Sequence, residues 1–405
     1  MKTIFLLPPL SFPIPAVKGG AVEQLITYLL EENERFGDVR FVVLSKYDGE
    51  AIKHSFKNSK VYYCDPGTFD CNCLNGFSLA WKVYKLKCKI FNNSVLRKIF
   101  KQIEEPLGKY HYLCKYIAKR EKVDVISIEG QWEVPFAFLN KIVGKENLFT
   151  HIHTSRYEDL NIRNRICNSI SISQYVQNLW TKTEIPNSKN HVVYNAANIE
   201  LFQQEFSEKS RFETRKRYGV NEELLLLYCG RIIPEKGVLQ LVQAMELLSD
   251  LPIKLLLVGS VAFSSAATSD YENEVIKASS NLDNVCLTGF IHNESLPEIY
   301  NACDIQIIPS IWEEGAGLVA IEGMASGLPL IVTKSGGMVE YVSEDTALII
   351  PKDDILSQNI ANAVIELYRD PPRRRAMANA GRERAQLFSK ENYYRNFVKI
   401  FSDKD

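Results

Sequence analysis

Pro309-Ser310-Ile311-Trp312-Glu313-Glu314-Gly315-Ala316-Gly317-Leu318-Val319-Ala320-Ile321-Glu322 reads as a strand end, a loop of small residues and the start of a helix. The preceding run, Ile305–Pro309, is short and apolar, the pattern of a strand buried on both faces. Leu318–Ser326 then carries apolar side chains at helical spacing. The N–H groups of Gly315, Ala316, Gly317 and Leu318 fall at the helix start, where backbone donors lack intrahelical partners and suit an anionic or hydroxylated ligand. The glycines let the backbone approach such a ligand closely. Glu314 and Glu322 flank these amides, and a carboxylate can accept two hydrogen bonds at once from a vicinal diol. Together they can grip two polyol rings.

The same alternation extends in both directions. Leu224–Cys229, Ile253–Val258, Val285–Leu287, Leu328–Val332 and Ala347–Ile350 read as strands, with helices at Val238–Leu248, Tyr271–Ser279 and Leu296–Ala302 between them. The first half alternates likewise: Ile4–Leu7, Val39–Leu44, Val61–Cys64, Val123–Ile128, Leu148–His153, Ser169–Ser173 and His191–Tyr194 read as strands, and Ala21–Phe36 as an amphipathic helix. At 405 residues the chain exceeds one core. The expected fold is α/β with two doubly wound parallel units, residues 1–200 and 201–385, and a helical tail, 386–405. The polar segment Gln203–Arg217 is expected to intervene between the units, and the tail's Tyr393, Tyr394, Phe397 and Phe401 need a surface to pack on. In such folds a ligand sits at the carboxyl ends of the strands, here in a cleft where loops of both units meet.

Two further stretches carry chemistry. Tyr228-Cys229-Gly230-Arg231-Ile232-Ile233-Pro234-Glu235-Lys236-Gly237 links a strand to a helix, and Arg231 and Lys236 lie across one turn. A guanidinium fork and an ammonium point charge together suit a diphosphate. No Gly-rich run ending in Gly-Lys-Ser/Thr is present there, so this is not a Walker loop. Lys18-Gly19-Gly20-Ala21 places two glycines before the first long helix, either as a backbone anion site or as a flexible loop.

Composition narrows the function classes. With 46% hydrophobic, 24% charged and 11% aromatic residues, disorder, collagen and coiled coil are excluded as the main architecture. The net charge of −1 conceals a local excess: residues 81–122 sum to +9, with Trp81, Tyr84, Phe91 and Phe100 interleaved. That segment is either a solvated helix face or an interfacial stretch drawn to anionic lipid. No recognition motif accompanies it, so nucleic acid is not an expected partner. The nine scattered cysteines read as reduced thiols of a cytoplasmic protein, and Cys64, Cys71 and Cys73 lack a neighbouring His or second pair for zinc. The apolar run at Ile4–Leu7 is too short for a secretory signal, and no stretch approaches the length of a membrane span.

Several of these motifs together resemble the retaining, nucleotide-sugar-dependent glycosyltransferases of family 4, also called group 1. The resemblance rests on Glu314 and Glu322 with seven residues between them, Gly323-Met324-Ala325-Ser326-Gly327-Leu328-Pro329, Gly230-Arg231 with Pro234-Glu235-Lys236-Gly237, Thr288-Gly289-Phe290, Asp304 and Ser335-Gly336-Gly337. It is close over about residues 220–370 and thinner before that, at Gly19-Gly20-Ala21, His153, Ser173 and Asn195.

The resemblance implies a two-Rossmann-domain, GT-B type fold whose last helix crosses back to the first domain. It implies that Glu322 holds the ribose diol and Glu314 faces the donor sugar. Arg231 and Lys236 would hold the diphosphate, with Gly19 and Gly20 closing over it and His153 near the donor sugar. Gly230, Ile291, Gly315, Ala316, Gly317 and Leu318 would complete the donor site. No Asp-x-Asp element accompanies these motifs, so neither metal nor cofactor is expected. The implied activity is retaining hexosyl transfer from a UDP-sugar such as UDP-GlcNAc, UDP-glucose or UDP-galactose. The acceptor would be a glycan or lipid-linked glycan in cell-surface polysaccharide or lipopolysaccharide biosynthesis, and the enzyme could lie peripherally on the inner membrane face. Relatives often carry Phe where Ala316 stands, and the smaller residue leaves room for an N-acetyl group. A UDP-sugar epimerase of the same fold and a non-catalytic scaffold are the alternatives.

Overall fold

A computed structural model of the chain describes residues 1–65, 82, 106–130, 136–155, 166, 168–181, 189–260 and 269–402. Its short apolar runs pair as parallel strands. In the first half these are β1 (Thr3–Leu7), β2 (Arg40–Lys46), β3 (Ser59–Cys64), β4 (Val125–Glu129), β5 (Leu148–Ile152), β6 (Asn168–Ser171) and β7 (Asn190–Val192). They form one sheet in the order β3-β2-β1-β4-β5-β6-β7. The second half contributes β8 (Leu224–Cys229), β9 (Ile253–Val258), β10 (Val285–Gly289), β11 (Ile305–Ile308), β12 (Leu330–Thr333) and β13 (Ala347–Ile350), in the order β10-β9-β8-β11-β12-β13. Both orders are doubly wound. The chain runs outward from the central strand in one direction, then returns and runs outward in the other, so each sheet has a switch point. That point falls between β1 and β4 in the first sheet and between β8 and β11 in the second.

Burial follows the two-residue period of a strand. In β8, Leu225 and Leu227 join one core with Leu256, Ile308 and Val332, sealed by Ile321 and Met324 of the helix Leu318–Ser326. Leu226 and Tyr228 face the other core, with Leu255, Ile307 and Ile331, under Val238, Leu241 and Met245 of the helix Val238–Leu247. Helices on both faces are what make a parallel sheet continuously apolar.

The chain separates into two compact units. One comprises Met1–Ile172, Val176–Val193 and the tail from Tyr393 onward; the other comprises Ser173–Tyr175 and Tyr194–Asn392. The polar segment Gln203–Arg217 does not intervene between them as expected. Its residues Glu208–Arg217 form a helix of the second unit, where Arg211 and Arg215 reach Asp304 at 2.6 and 3.1 Å. Its polarity therefore reflects an ion-paired helix, not a linker.

The last helix, Lys390–Ser402, belongs to the first unit from Tyr393 on. Tyr394 stacks on Phe36 at 5.5 Å and donates its hydroxyl to Asn33 Oδ1 at 2.8 Å. Phe397 packs against Phe41 and the His151 ring, and Phe401 meets Phe149 edge-on. All four tail aromatics are buried.

Of the basic segment 81–122, only Lys82 and residues 106–122 lie within the described residues. The helix Pro106–Arg120 buries Tyr110, Leu113, Cys114 and Ile117 against the first sheet. Cys64 and Cys114 are buried free thiols; Cys71 and Cys73 lie outside the described residues. Among the described residues no helix is long and apolar enough to cross a membrane.

Candidate active site

The second unit's switch point brings together the loops that follow β8 and β11. After β8 the chain passes Gly230 and Arg231, makes a single turn over Pro234–Lys236, and enters its helix through Gly237. Gly237 has φ 65°, and a Cβ there would lie 2.1 Å from the Pro309 carbonyl oxygen. Only glycine permits so close an approach. The Ile311 and Trp312 N–H groups donate to the Glu235 carbonyl at 3.0 and 3.2 Å, which locks the two loops to each other.

That contact sets the charged pair. Lys236 Nζ lies 2.6 Å from Glu314 Oε1, and the buried Ser310 donates its hydroxyl to the same oxygen at 2.6 Å. Both partners keep some exposure, 27% for the Lys236 side chain and 15% for Glu314, so the pair remains open to a ligand. Arg231 is exposed, and its guanidinium has no partner among the described residues.

The loop after β12 clamps Glu314 from the other side. The Glu314 N–H donates to Ser335 Oγ at 3.2 Å, and the Gly337 N–H donates to the Glu314 carbonyl at 2.7 Å. Ser173 Oγ donates to the Gly315 carbonyl at 2.8 Å. Of the N–H groups from Glu314 to Leu318, these bonds spend only that of Glu314. Among the described residues the N–H groups of Gly315, Ala316, Gly317 and Leu318 have no acceptor, as the sequence predicts for a helix start.

Glu322 lies further along the same helix, half-buried, and accepts from the Tyr300 hydroxyl at 3.1 Å. Burial pushes its carboxyl pKa up to about 7, against the smaller opposing effect of the Tyr300 bond. Ile291 follows β10 at the sheet edge and packs against the core cluster that holds Ile321.

The first unit carries the other expected residues at its own switch point. Gly19 and Gly20 have φ 82° and 100° and precede the helix Ala21–Phe36. The buried Glu23 side chain occupies that helix start: a Cβ on Gly20 would meet its Oε2 at 2.2 Å. Burial raises the Glu23 pKa, while hydrogen bonds from its own N–H and that of Phe12 work against the rise. The chain thus places its own carboxyl group where the glycines alone suggested an incoming anion.

His153 follows β5, and its Nε2 lies 3.1 Å from Glu129 Oε2. His151 Nδ1 reaches the same oxygen at 2.8 Å, and the two imidazoles are 4.0 Å apart. Sequence pattern alone missed Glu129. A carboxylate ending an apolar strand was the available signal, but its partners lie 22 and 24 residues away. The motifs contain Ser310 and Ser335 without giving them a role, and Tyr300 was missed; only tertiary contacts connect these three to the two glutamates.

Two doubly wound parallel units, the second carrying a Lys-Glu pair beside an open helix start, define a fold of the GT-B glycosyltransferase type. Solved structures share it along the whole chain. A glycosyltransferase from Rickettsia africae superposes with a TM-score of 0.74 at 18% identity, covering 99% of this chain and 97% of that one. HepE of Anabaena, in complex with UDP and glucose, gives 0.69 at 20% identity, with 99% of each chain covered. Residues 210–384 match the family model for glycosyl transferases group 1.

Among curated relatives, a lipopolysaccharide 1,2-N-acetylglucosaminetransferase of Salmonella typhimurium is 30% identical over 184 residues, 44% of this chain and 48% of that protein. The alpha-D-kanosaminyltransferase of Streptomyces kanamyceticus is 30% identical over 198 residues, 49% and 50% of the two chains. The chain thus spans about half the length of these relatives.

Proposed function

We propose that the protein is a retaining, metal-independent glycosyltransferase using a nucleoside diphosphate sugar, a UDP-sugar, as donor. The acceptor is a hydroxyl of a glycan or lipid-linked glycan, in polysaccharide or lipopolysaccharide-type biosynthesis. The observation that carries this reading is the Lys236–Glu314 pair at 2.6 Å, set at a helix start whose first amides lack acceptors. In the reaction the bond from the anomeric carbon to the leaving phosphate oxygen breaks. A bond from the same carbon to the acceptor oxygen forms on the same face, and the acceptor proton passes to the departing phosphate. Negative charge builds on the diphosphate, and Lys236 and Arg231 stabilise it there, which is the largest contribution expected of such a site. Glu314 accepts hydroxyls of the sugar, with Lys236 and Ser310 holding it in register. Glu322 accepts the ribose diol, and the free amides of Gly315–Leu318 take up oxygen atoms of the donor. His153 contributes to binding of the donor sugar. Both Glu314 and Glu322 are spent on hydroxyls, which leaves no carboxylate pair for a glycosidase mechanism. The basic and aromatic composition of residues 81–122 supports a peripheral position on an anionic membrane at the cytoplasmic side.

The test is slow hydrolysis of a panel of UDP-, GDP- and ADP-sugars, with the released anomer read by NMR. UDP and an α-anomeric sugar are expected from an α-linked donor. Accumulation of an epimerised nucleotide sugar would support the epimerase instead, and absence of any UDP-sugar binding would overturn the proposal. Near-normal kinetics in both Lys236→Ala and Glu314→Ala would refute the assigned site.

A further inference from the structure

Two histidines and one carboxylate converge at the first unit's switch point, and their hydrogen bonds can be counted. Glu129 is fully buried. Its Oε1 accepts the Ser127 hydroxyl at 2.5 Å, and its Oε2 receives both His151 Nδ1 at 2.8 Å and His153 Nε2 at 3.1 Å. Burial alone would raise its pKa, but the two imidazoles override that and hold it well below the usual range. An ionised carboxylate has only acceptor sites, so each ring nitrogen facing it must carry a hydrogen.

The second nitrogen of His151 decides the charge. His151 Nε2 is buried with no partner among the described residues, and Phe397 packs on the ring at 5.9 Å. A hydrogen on that nitrogen would be a buried donor without an acceptor, which costs more than a bare lone pair in apolar surroundings. His151 is therefore the neutral Nδ1–H tautomer. His153 donates through Nε2, and burial lowers its pKa below the usual imidazole range, so it too is neutral. Its Nδ1 then carries the lone pair.

Gly130 makes the arrangement possible. It follows Glu129 with φ 62°, and a Cβ there would lie 3.3 Å from His153 Cδ2 and 3.7 Å from Val22, in the first turn of the helix after Gly20. The group therefore sits where the carboxyl ends of β4 and β5 meet the start of the first helix, where doubly wound sheets receive ligands.

We propose that Glu129 is a positioning residue that fixes His153 as the Nε2–H tautomer, so that His153 presents Nδ1 as a hydrogen-bond acceptor for a substrate hydroxyl. This rests on the proposed donor-sugar role of His153. It excludes a role for His153 as a proton donor, and it excludes the same three residues as a divalent-metal site, because the nitrogens facing Glu129 carry hydrogens instead of metal-binding lone pairs.

The test begins with the unaltered protein, labelled with 15N-histidine. Two-bond 1H–15N correlation spectra at neutral pH are expected to show His153 as Nε2–H and His151 as Nδ1–H. An imidazolium pattern or an Nδ1–H tautomer at His153 would overturn the proposal, as would stoichiometric binding of added zinc to these rings. Glu129→Gln should lower kcat/KM for hydrolysis of whichever of UDP-glucose, UDP-GlcNAc or UDP-galactose is turned over by about 10–100-fold, the size of one lost charge-assisted hydrogen bond. UDP affinity should be unchanged, since its assigned ligands lie in the second unit. If His153→Ala leaves kcat/KM intact, the role of His153 in the proposed function fails. If His153→Ala is impaired while Glu129→Gln has normal kinetics and an unaltered His153 tautomer, only the positioning role fails.

Discussion

Binding of UDP-glucose should weaken about tenfold between about pH 8 and about pH 6, through Glu322 alone. The free enzyme's Glu322 titrates at about 7 because burial disfavours the charged form. A ribose diol donates two hydrogens, and only the carboxylate accepts both. Binding therefore requires the ionised form and releases a proton wherever the carboxyl starts protonated. A single group titrating at about 7 is about nine-tenths protonated at pH 6 and nine-tenths ionised at pH 8, which sets the tenfold ratio. UDP-glucose is the suitable probe because its diphosphate, esterified at both ends, has no proton to lose near neutrality.

The same shift carries a stability sign. Glu322 holds its proton more tightly folded than its ordinary value of 4.5 allows in the unfolded chain. Its ionisation therefore costs stability, from nothing below about pH 4.5 to a full cost above about pH 7. The shift corresponds to about 3 kcal/mol, and partial exposure reduces it to about 1–3 kcal/mol. Glu322→Gln should be as stable as the parent at about pH 4.5 and more stable by that amount at about pH 8, while losing the pH dependence of binding. Calorimetry in two buffers of different ionisation enthalpy counts the released proton, and urea titration reads the stability. Affinity that stays flat across this range, with no proton release and no gain in the glutamine variant, would refute the reasoning.

Three further outcomes are expected. Turnover should be unchanged in excess chelator if, as proposed, Arg231 and Lys236 supply the positive charge; abolition by chelator would sink the proposed metal-free site. Phe397→Ala should destabilise the first unit by about 3–5 kcal/mol, since a fully buried ring between Phe41 and His151 is removed; a change within about 0.5 kcal/mol in thermal or urea unfolding would contradict the assigned packing. Ala316→Phe should lower turnover of UDP-GlcNAc more than that of UDP-glucose; equal losses would remove the argument that Ala316 leaves room for an N-acetyl group.

The helices and strands were legible because their signals are local. Ala21–Phe36 has a glycine on either side, and Leu318–Ser326 begins and ends at glycines, so hydrophobic period and punctuation agreed with the structure residue for residue. Where strand ends moved, they moved by one or two residues, since the last paired residue depends on a neighbouring strand that local pattern does not contain. Gln203–Arg217 misled for a related reason: the segment is polar in composition, yet two of its arginines, Arg211 and Arg215, are committed to Asp304, far along the chain.

By itself the sequence determined the class of fold, the two switch-point loops and the chemical identity of the groups in them, because residue type and near-neighbour spacing suffice for those. Only the tertiary structure decided which groups touch. It placed Lys236 on Glu314 across 78 residues, set Glu23 into the helix start after Gly20, and gathered Glu129, His151 and His153 on one buried oxygen. Such contacts join segments through strand order, and strand order is fixed by packing two apolar faces at once, which no local stretch of sequence encodes.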